Sequence, residues 1–364
     1  MSADTPAGRS PIDGGDTSGS TRSTRGAHLR VAGKGGAKGA GRRVAVLKGG
    51  GSLERTVSLR SGARAQEALL ALGHEVISID AGPELLSELL ESRPDAAFVT
   101  LHGRDGEDGT VQGLLEAIGV PYTGSGPAAC MRCTDKGLAK YLMREAGIPT
   151  PDFHAFKESA IKELGVAAAL PRIGQELGFP MVAKPNSQGS ALGVKFAQSS
   201  EELPAAIVAA LSYDRKVLLE RYVKGRDLAV SVLDSEDGSP PARAPIPEPS
   251  AMPVIEAIPR EQDFYAYESR YEIGMTTFVC PAELPAETTA RAQELALQVY
   301  RLLGCHGVAR VDLMLDEESG ELTVLEINVV PGITETSLLP LAAEVVGIDL
   351  IALVGRILQS AFTR

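Results

Sequence analysis

Tryptophan is absent from this 364-residue chain, and all aromatics together make up only 4 % of it. A core without large rings has to be filled by Ala, Val, Leu and Ile. Cysteine is sparse too. The 4 present, Cys130, Cys133, Cys280 and Cys305, cannot staple a chain of this length, and such sparseness fits a reducing cytoplasm. Cys130-Met-Arg-Cys133 has the spacing of a redox pair or half a zinc site. No second Cys or His pair follows at a zinc-like distance and no thioredoxin-like strand precedes it, so small buried residues at a helix start are the better reading. No apolar run of about 18 residues occurs, and no membrane span is expected. An excess of basic residues is also lacking. The net charge of −11 argues against a nucleic-acid surface but leaves room for a local basic pocket for phosphates. Residues 1–41 have no secretory apolar core; rich in Gly, Ser, Thr and Arg, they are expected to be a disordered basic tail.

What is present is a balanced globular composition, 44 % hydrophobic and 23 % charged, in a length that suggests two or three domains. Arg43–Leu47 reads as a short apolar strand. A glycine loop follows, Lys48-Gly-Gly-Gly-Ser-Leu-Glu54-Arg55, and then an amphipathic helix from about Thr56 to Leu72. Strand, glycine loop and helix suggest phosphate binding, but the dinucleotide fingerprint fails because Glu54 stands where its last glycine belongs. A carboxylate there favours a cationic ligand, or else simply complements the helix dipole. Strands at Glu75–Ile79 and Ala96–Leu101 complete a βαβαβ alternation and therefore a parallel sheet. The third strand runs into His102-Gly-Arg-Asp-Gly-Glu-Asp-Gly109, and ligands of open α/β sheets bind at the carboxyl ends of strands. His102 thus sits where chemistry is expected, unlike His74 or His154.

Thr134-Asp135 reads as the cap of a helix over Lys136–Ala146, and Gly147-Ile-Pro-Thr-Pro151 as a hinge. Phe179–Lys184 is a strand that ends in a lysine and enters Pro185-Asn-Ser-Gln-Gly-Ser190-Ala-Leu-Gly193. The order is wrong for a P-loop, in which the lysine follows the glycines and opens a helix. Because Val194–Phe196 resumes a strand, this Gly/Ser loop joins two strands and could fold over a nucleotide. Further strands are read at Lys216–Val223 and Gly225–Leu233. The segment 260–275 gathers aromatics that the chain otherwise lacks and reads as a lid. A hairpin then joins Val308–Leu315 to a strand through Leu325–Asn328. Alternation puts Arg310 with Asp312, and Glu326 with Asn328, on common faces; two carboxylates and an amide form an oxygen set of the kind Mg²⁺ takes alongside substrate phosphates.

These blocks, in this order, resemble the D-alanine–D-alanine ligases of the ATP-grasp superfamily, over about Arg42 to the C-terminus. They are Gly49-Gly-Gly-Ser-x-Glu54-Arg-x-Val-Ser58, His102-Gly-Arg-x-Gly-Glu-Asp-Gly109, Pro121-Tyr-Thr-Gly-Ser-Gly126, Asp135-Lys136, Lys184-Pro-x-x-x-Gly-Ser190, Phe264-Tyr-x-Tyr267 with Tyr271, and Arg310-x-Asp312 with Glu326-x-Asn328-x-x-Pro-Gly332. The resemblance implies an α/β chain with an N-terminal Rossmann-like parallel-sheet domain (42–133), followed by a two-domain α+β ATP-grasp fold (134–225 and 226–364, with a lid at 260–275). It implies ATP-dependent joining of two D-alanines through an acylphosphate, with ADP and phosphate released, for peptidoglycan precursor synthesis.

By position, the resemblance implies that Lys136 and Lys184 hold ATP phosphates, Ser190 and Arg270 assist, Glu220, Tyr222 and Val223 meet adenine, and Asp227, where Glu is usual, binds the ribose. Asp312, Glu326 and Asn328 would hold two Mg²⁺ ions, or Mn²⁺. Glu54 would take the first substrate's ammonium with His102 nearby, Arg310 and Gly332 the oxyanion, and Ser337 the second carboxylate; Ser190, Tyr271 and Glu54 would form a hydrogen-bonded set. A homodimer in the cytoplasm, with no nucleic-acid or membrane partner, is expected. Gln188, Ala191, Ala266, Arg270 and Val329-Val330 depart from the commonest pattern. Two alternatives remain: a ligase with another acceptor, such as D-lactate or D-serine, and a non-catalytic ATP-binding regulator. Tyr271 and Ser337 oppose the first. The joint retention of Lys184, Arg310, Asp312, Glu326 and Asn328 opposes the second.

Overall fold

The computed structural model describes residues 41–234, 248–259 and 276–364. The tail and the 260–275 lid, with Ala266, Arg270 and Tyr271, therefore lie outside the described residues, apart from residue 41.

Three strands, β1 (Arg43–Lys48), β2 (Glu75–Asp80) and β3 (Ala96–Val99), pair in parallel in the order β2-β1-β3. The crossovers are α1 (Arg55–Ala71) and α2 (Leu85–Ser92), as parallel pairing requires. Val44–Leu47 on the central strand are fully buried, which accounts for an unbroken apolar run instead of an alternating one. Helix α3 (Thr110–Ala117) follows. Next, α4 (Pro127–Thr134) carries Cys130 and Cys133 into the core as buried free thiols; the expected burial holds, but they sit in the middle and last turn of the helix, not at its start. In α5 (Lys136–Glu145) the Asp135 carboxylate accepts from the Leu138 N–H at 2.9 Å and pairs with Lys216 at 2.8 Å.

A second, antiparallel sheet has the order β4-β7-β5-β6, with β4 (Phe153–Lys157), β5 (Met181–Pro185), β6 (Lys195–Ala197) and β7 (Lys216–Arg221). Helices α6 (Glu158–Lys162), α7 (Leu170–Leu177) and α8 (Leu203–Leu211) accompany it. The Gly/Ser loop joins β5 to β6, as read from the sequence.

The third sheet is also antiparallel. Its strands are β8 (Gly225–Asp234), β9 (Pro249–Ala251), β10 (Ile255–Pro259), β11 (Thr276–Val279), β12 (Val308–Asp316) and β13 (Leu322–Asn328), in the order β11-β10-β8-β12-β13 with β9 on β8. The apolar stripe of α9 (Ala286–Leu303), Ala292, Leu295, Ala296, Val299 and Leu303, shares a core with β8, β12 and β13. The last two helices, α10 (Leu338–Val345) and α11 (Leu350–Ser360), return to the first sheet, where Leu339, Leu353 and Ile357 pack with Val44, Ala65 and Phe98. Among the described residues no single helix is long and apolar enough to cross a membrane.

Burial opposes ionisation of Asp135, but the Lys216 ammonium and the Leu138 N–H outweigh it and hold the carboxyl below its ordinary value. Its contribution is therefore fully present above the unfolded pKa and is lost as pH falls through the folded one. Asp135→Ala is expected to cost about 1–2 kcal/mol in urea unfolding at pH 7, with the gap from the parent chain closing as the pH is lowered.

Candidate active site

The loop after β1 turns through Gly49 and Gly50, both at positive φ, a region glycine enters without steric cost. Ser58 of α1 accepts from the Gly49 N–H at 2.8 Å. This turn delivers Glu54 to the start of α1, where its side chain makes no capping bond. The carboxylate is instead buried, and Oε1 accepts a hydrogen bond from the Ser190 hydroxyl of the Gly/Ser loop. Oε2 is buried with no hydrogen-bond partner among the described residues. Two glycines permit this packing: a Cβ on Gly103 would lie 2.7 Å from Oε2, and one on Gly189 would lie 3.0 Å from Oε1. Burial, then repulsion from Glu107, pushes the Glu54 carboxyl up. A desolvated carboxylate with an open oxygen suits a cationic ligand better than a helix-dipole role. Ser190 and Ala191 are held at φ of 55° and 56°, which costs of order 1–3 kcal/mol each and marks this loop as constrained by its surroundings.

His102, buried just beyond β3, has Nδ1 3.5 Å from Glu107 Oε1 and Nε2 3.3 Å from Ser61 Oγ. Ser61 in turn accepts from the Ile333 N–H at 3.3 Å, so α1 ties the histidine to the segment after Gly332. That segment holds Ser337, whose Oγ accepts from the Thr334 N–H at 2.9 Å and lies 2.8 Å from Thr334 Oγ1. Val329 and Val330, the pair without a reading in the sequence, line a cavity with His102, Thr123 and Pro331. Val329 also belongs to the core beneath β13.

On the hairpin, Arg310 stands opposite Asn328 and Asp312 opposite Glu326. Arg310 donates through Nε and Nη2 to the two oxygens of Asp312, at 2.7 and 2.8 Å. Lys136 Nζ is 3.3 Å from Glu326 and donates to the Gln188 carbonyl at 2.8 Å, so α5 links the hairpin to the Gly/Ser loop. Asn328 Oδ1 accepts from the Val330 N–H at 3.0 Å. Asp312, Glu326 and Asn328 offer only oxygens, and both carboxylates already attract a cation. The donor chemistry fits a Mg²⁺ site completed by phosphate oxygens.

Glu220 of β7 is buried between two lysines. Lys184 Nζ lies 3.1 Å from Oε1, and Lys140 Nζ 2.7 Å from Oε2, an ion pair outside good hydrogen-bond alignment. Burial opposes ionisation of Glu220, but Lys140 and then Lys184 hold its carboxyl below the ordinary value. Burial also pushes the Lys140 ammonium down to about 8. Sequence reasoning missed Lys140; its only signal was a lysine four residues after Lys136 on a helix face that also buries Ala139 and Met143. Tyr222 and Val223 follow directly, Tyr222 edge-on to Phe196 at 5.6 Å. Asp227 is half-buried on β8, between Ala257 and Met314.

A lysine-bearing strand with a Gly/Ser loop, tied through Lys136 to a carboxylate hairpin on a second antiparallel sheet, defines the ATP-grasp class of enzyme. Two family models match, one described as the D-ala D-ala ligase N-terminus over residues 84–125 and one as the D-ala D-ala ligase C-terminus over residues 142–359. The chain is 38 % identical over 320 residues to the D-alanine–D-alanine ligase of Pelotomaculum thermopropionicum, covering 88 % of this chain and 96 % of that one. It is 40 % identical over 321 residues to the D-alanine–D-alanine ligase of Moorella thermoacetica, covering 88 % and 99 %. Among solved structures, the D-alanine–D-alanine ligase of Bacillus anthracis complexed with ATP matches with a TM-score of 0.71 at 32 % identity, over 88 % of this chain and 97 % of that one. The VanG D-Ala:D-Ser ligase of Enterococcus faecalis matches with a TM-score of 0.72 at 27 % identity, over 88 % and 99 %. The chain belongs to the D-alanine–D-alanine ligase family.

A Cβ on Gly332 would lie 2.7 Å from Ser337 Oγ and would push that hydroxyl off Thr334. Gly332→Ala is expected to lower steady-state turnover at least about tenfold while costing only about 1–3 kcal/mol of stability. Turnover equal to the parent's would show that the position of this hydroxyl is immaterial.

Proposed function

We propose that this chain ligates two D-alanine molecules to D-alanyl-D-alanine, with ATP converted to ADP and phosphate, as a step in making a peptidoglycan precursor. The observation that carries this reading is the buried Glu54 carboxylate, one oxygen on Ser190 of the Gly/Ser loop and the other open. An ammonium-seeking group thus lies against a phosphate-grasping loop, as an enzyme that phosphorylates an amino acid's carboxylate needs. Glu54 holds the first ammonium, and His102, held by Glu107 and Ser61, lies close to that substrate. The carboxylate of that substrate attacks the γ-phosphoryl group, giving an acylphosphate and ADP. The second amine then attacks the acyl carbon, and phosphate leaves. Lys136 and Lys184 hold phosphate oxygens, with Ser190 and, in the lid, Arg270 assisting. Glu220, Tyr222 and Val223 meet the adenine, and Asp227 the ribose. Arg310 and the Gly332 N–H stabilise the oxyanion that develops in the second step, and Ser337 receives the second carboxylate. Asp312, Glu326 and Asn328 would hold two Mg²⁺ ions, which supply charge neutralisation for the phosphoryl oxygens. Tyr271, outside the described residues, would complete the set with Ser190 and Glu54. Domains divided near residues 134 and 226, a cytoplasmic location and a homodimer belong to the same proposal.

ADP release with ATP, Mg²⁺ and a panel of D- and L-amino acids and D-lactate, products identified by mass, is the deciding experiment. D-alanine alone is expected to support release and yield the dipeptide; no release with D-alanine would overturn the reading, and turnover only with D-serine or D-lactate as acceptor would change the product. Arg310→Ala should reduce turnover at least about a hundredfold while calorimetric ATP binding persists. Affinity for the first amino acid should fall as pH drops through the raised pKa of Glu54, because the protonated acid no longer pairs with an ammonium. Glu54→Gln should abolish that limb of the profile along with most of the affinity.

A further inference from the structure

Lys140 has no solvent exposure, unlike the lysines that are expected to meet phosphates. Burying an ammonium is costly unless it is paired and hydrogen-bonded, and three different segments supply its partners. Its Nζ lies 2.7 Å from Glu220 Oε2 on β7, donates to Thr150 Oγ1 at 2.6 Å and reaches the Val324 carbonyl of β13 at 3.5 Å. Thr150 donates to the same carbonyl at 2.8 Å, and the Val324 N–H donates to Pro149 at 2.8 Å. The ammonium is thus fixed by the stretch after α5 and by the strand that carries Glu326, with no freedom to follow a ligand. Lys184, which holds the other oxygen of Glu220, lies at the mouth of the Gly/Ser loop.

We infer that Lys140 is a positioning residue for nucleotide choice: it keeps Glu220 aimed and purely an acceptor once Lys184 turns to phosphate, and so selects an aminopurine over an oxopurine. The inference rests on the reading of Glu220 as the group that meets the base. An ionised carboxylate only accepts hydrogen bonds. It therefore pairs with the exocyclic amino group of adenine and repels the O6 carbonyl of guanine. Stripped of both cations in a buried site, Glu220 would take up a proton. The resulting carboxylic acid can donate to O6, and discrimination falls. Lys140 touches neither nucleotide nor amino acid in this scheme; it acts through Glu220.

The test compares kcat and KM for ATP and for GTP, with D-alanine and Mg²⁺, in the parent chain, Lys140→Met, Glu220→Gln and the double variant. Lys140→Met is expected to raise KM for ATP about tenfold or more, to change kcat at saturating ATP less than about threefold, and to lower the ATP-over-GTP ratio of kcat/KM at least about tenfold. Glu220→Gln should lower that ratio similarly, and in its background Lys140→Met should change the ratio no further. Should Lys140→Met alone fail to fold, the comparison of Glu220→Gln with the double variant, whose pair is neutral, still decides: a further fall in the ratio overturns the inference. A ratio unchanged by Lys140→Met but lowered by Glu220→Gln overturns the role of Lys140 and leaves that of Glu220 standing. A ratio unchanged by Glu220→Gln overturns both.

Discussion

A carboxylate taken out of water has to be answered by a cation at close range, and the site meets this constraint repeatedly within a small space. Arg310 forks Asp312, Lys136 reaches Glu326, and Lys140 and Lys184 divide the two oxygens of Glu220. Apart from the Arg310–Asp312 pair within β12, these pairs draw α5, β5, β7 and β13 together, so the second and third sheets are joined by charge through α5. They also leave the charges already in place. Under the proposed function, binding becomes an exchange of partners: phosphate oxygens would take Lys136 and Lys184, and metal ions Asp312 and Glu326, while Lys140 stays on Glu220. Little rearrangement is then needed when negative charge develops on a transferring phosphoryl group, which is what electrostatic preorganisation requires.

Glu54 departs from this pattern. It is about as buried as Asp312 and Glu220, but burial and a second carboxylate, Glu107, push its carboxyl up more than the Ser190 hydroxyl, His102 and Lys136 pull it down. A site that compensates its other acids and leaves this one under-compensated has room for one more positive charge there, and the first substrate's ammonium is the natural candidate. The Ser190 contact places that charge beside the strained Gly/Ser loop, so amino acid and nucleotide would share a wall.

Much of this could be read from residue order because it depends on short periods. The two-residue alternation of a strand puts Arg310 beside Asp312, and the pair across the hairpin follows once the turn is located. Glu54 stood out as the wrong residue in a glycine loop, and β1 to β3 as alternating strands and helices. What escaped depends on distant partners. Helix α8 is apolar nearly throughout Leu203–Leu211, leaving no amphipathic stripe to detect. Strand β4, Phe153-His-Ala-Phe-Lys157, is short and gains its place only by pairing with β7. The return of α10 and α11 to the first sheet has no local signal at all. Lys140 reads in isolation as a lysine whose stem covers an apolar face; only Glu220, delivered by another sheet, makes it a buried cation.

The exchange of partners is tested most directly by calorimetric titration of ATP into the protein with and without Mg²⁺, in the parent chain and in an Asp312→Asn, Glu326→Gln variant. The account predicts that Mg²⁺ tightens ATP binding in the parent, and that the variant loses this tightening while binding metal-free ATP at least as well, because Lys136 and Arg310 are freed from their carboxylates. An equal response to Mg²⁺ in both proteins, or weaker metal-free binding in the variant, would contradict it.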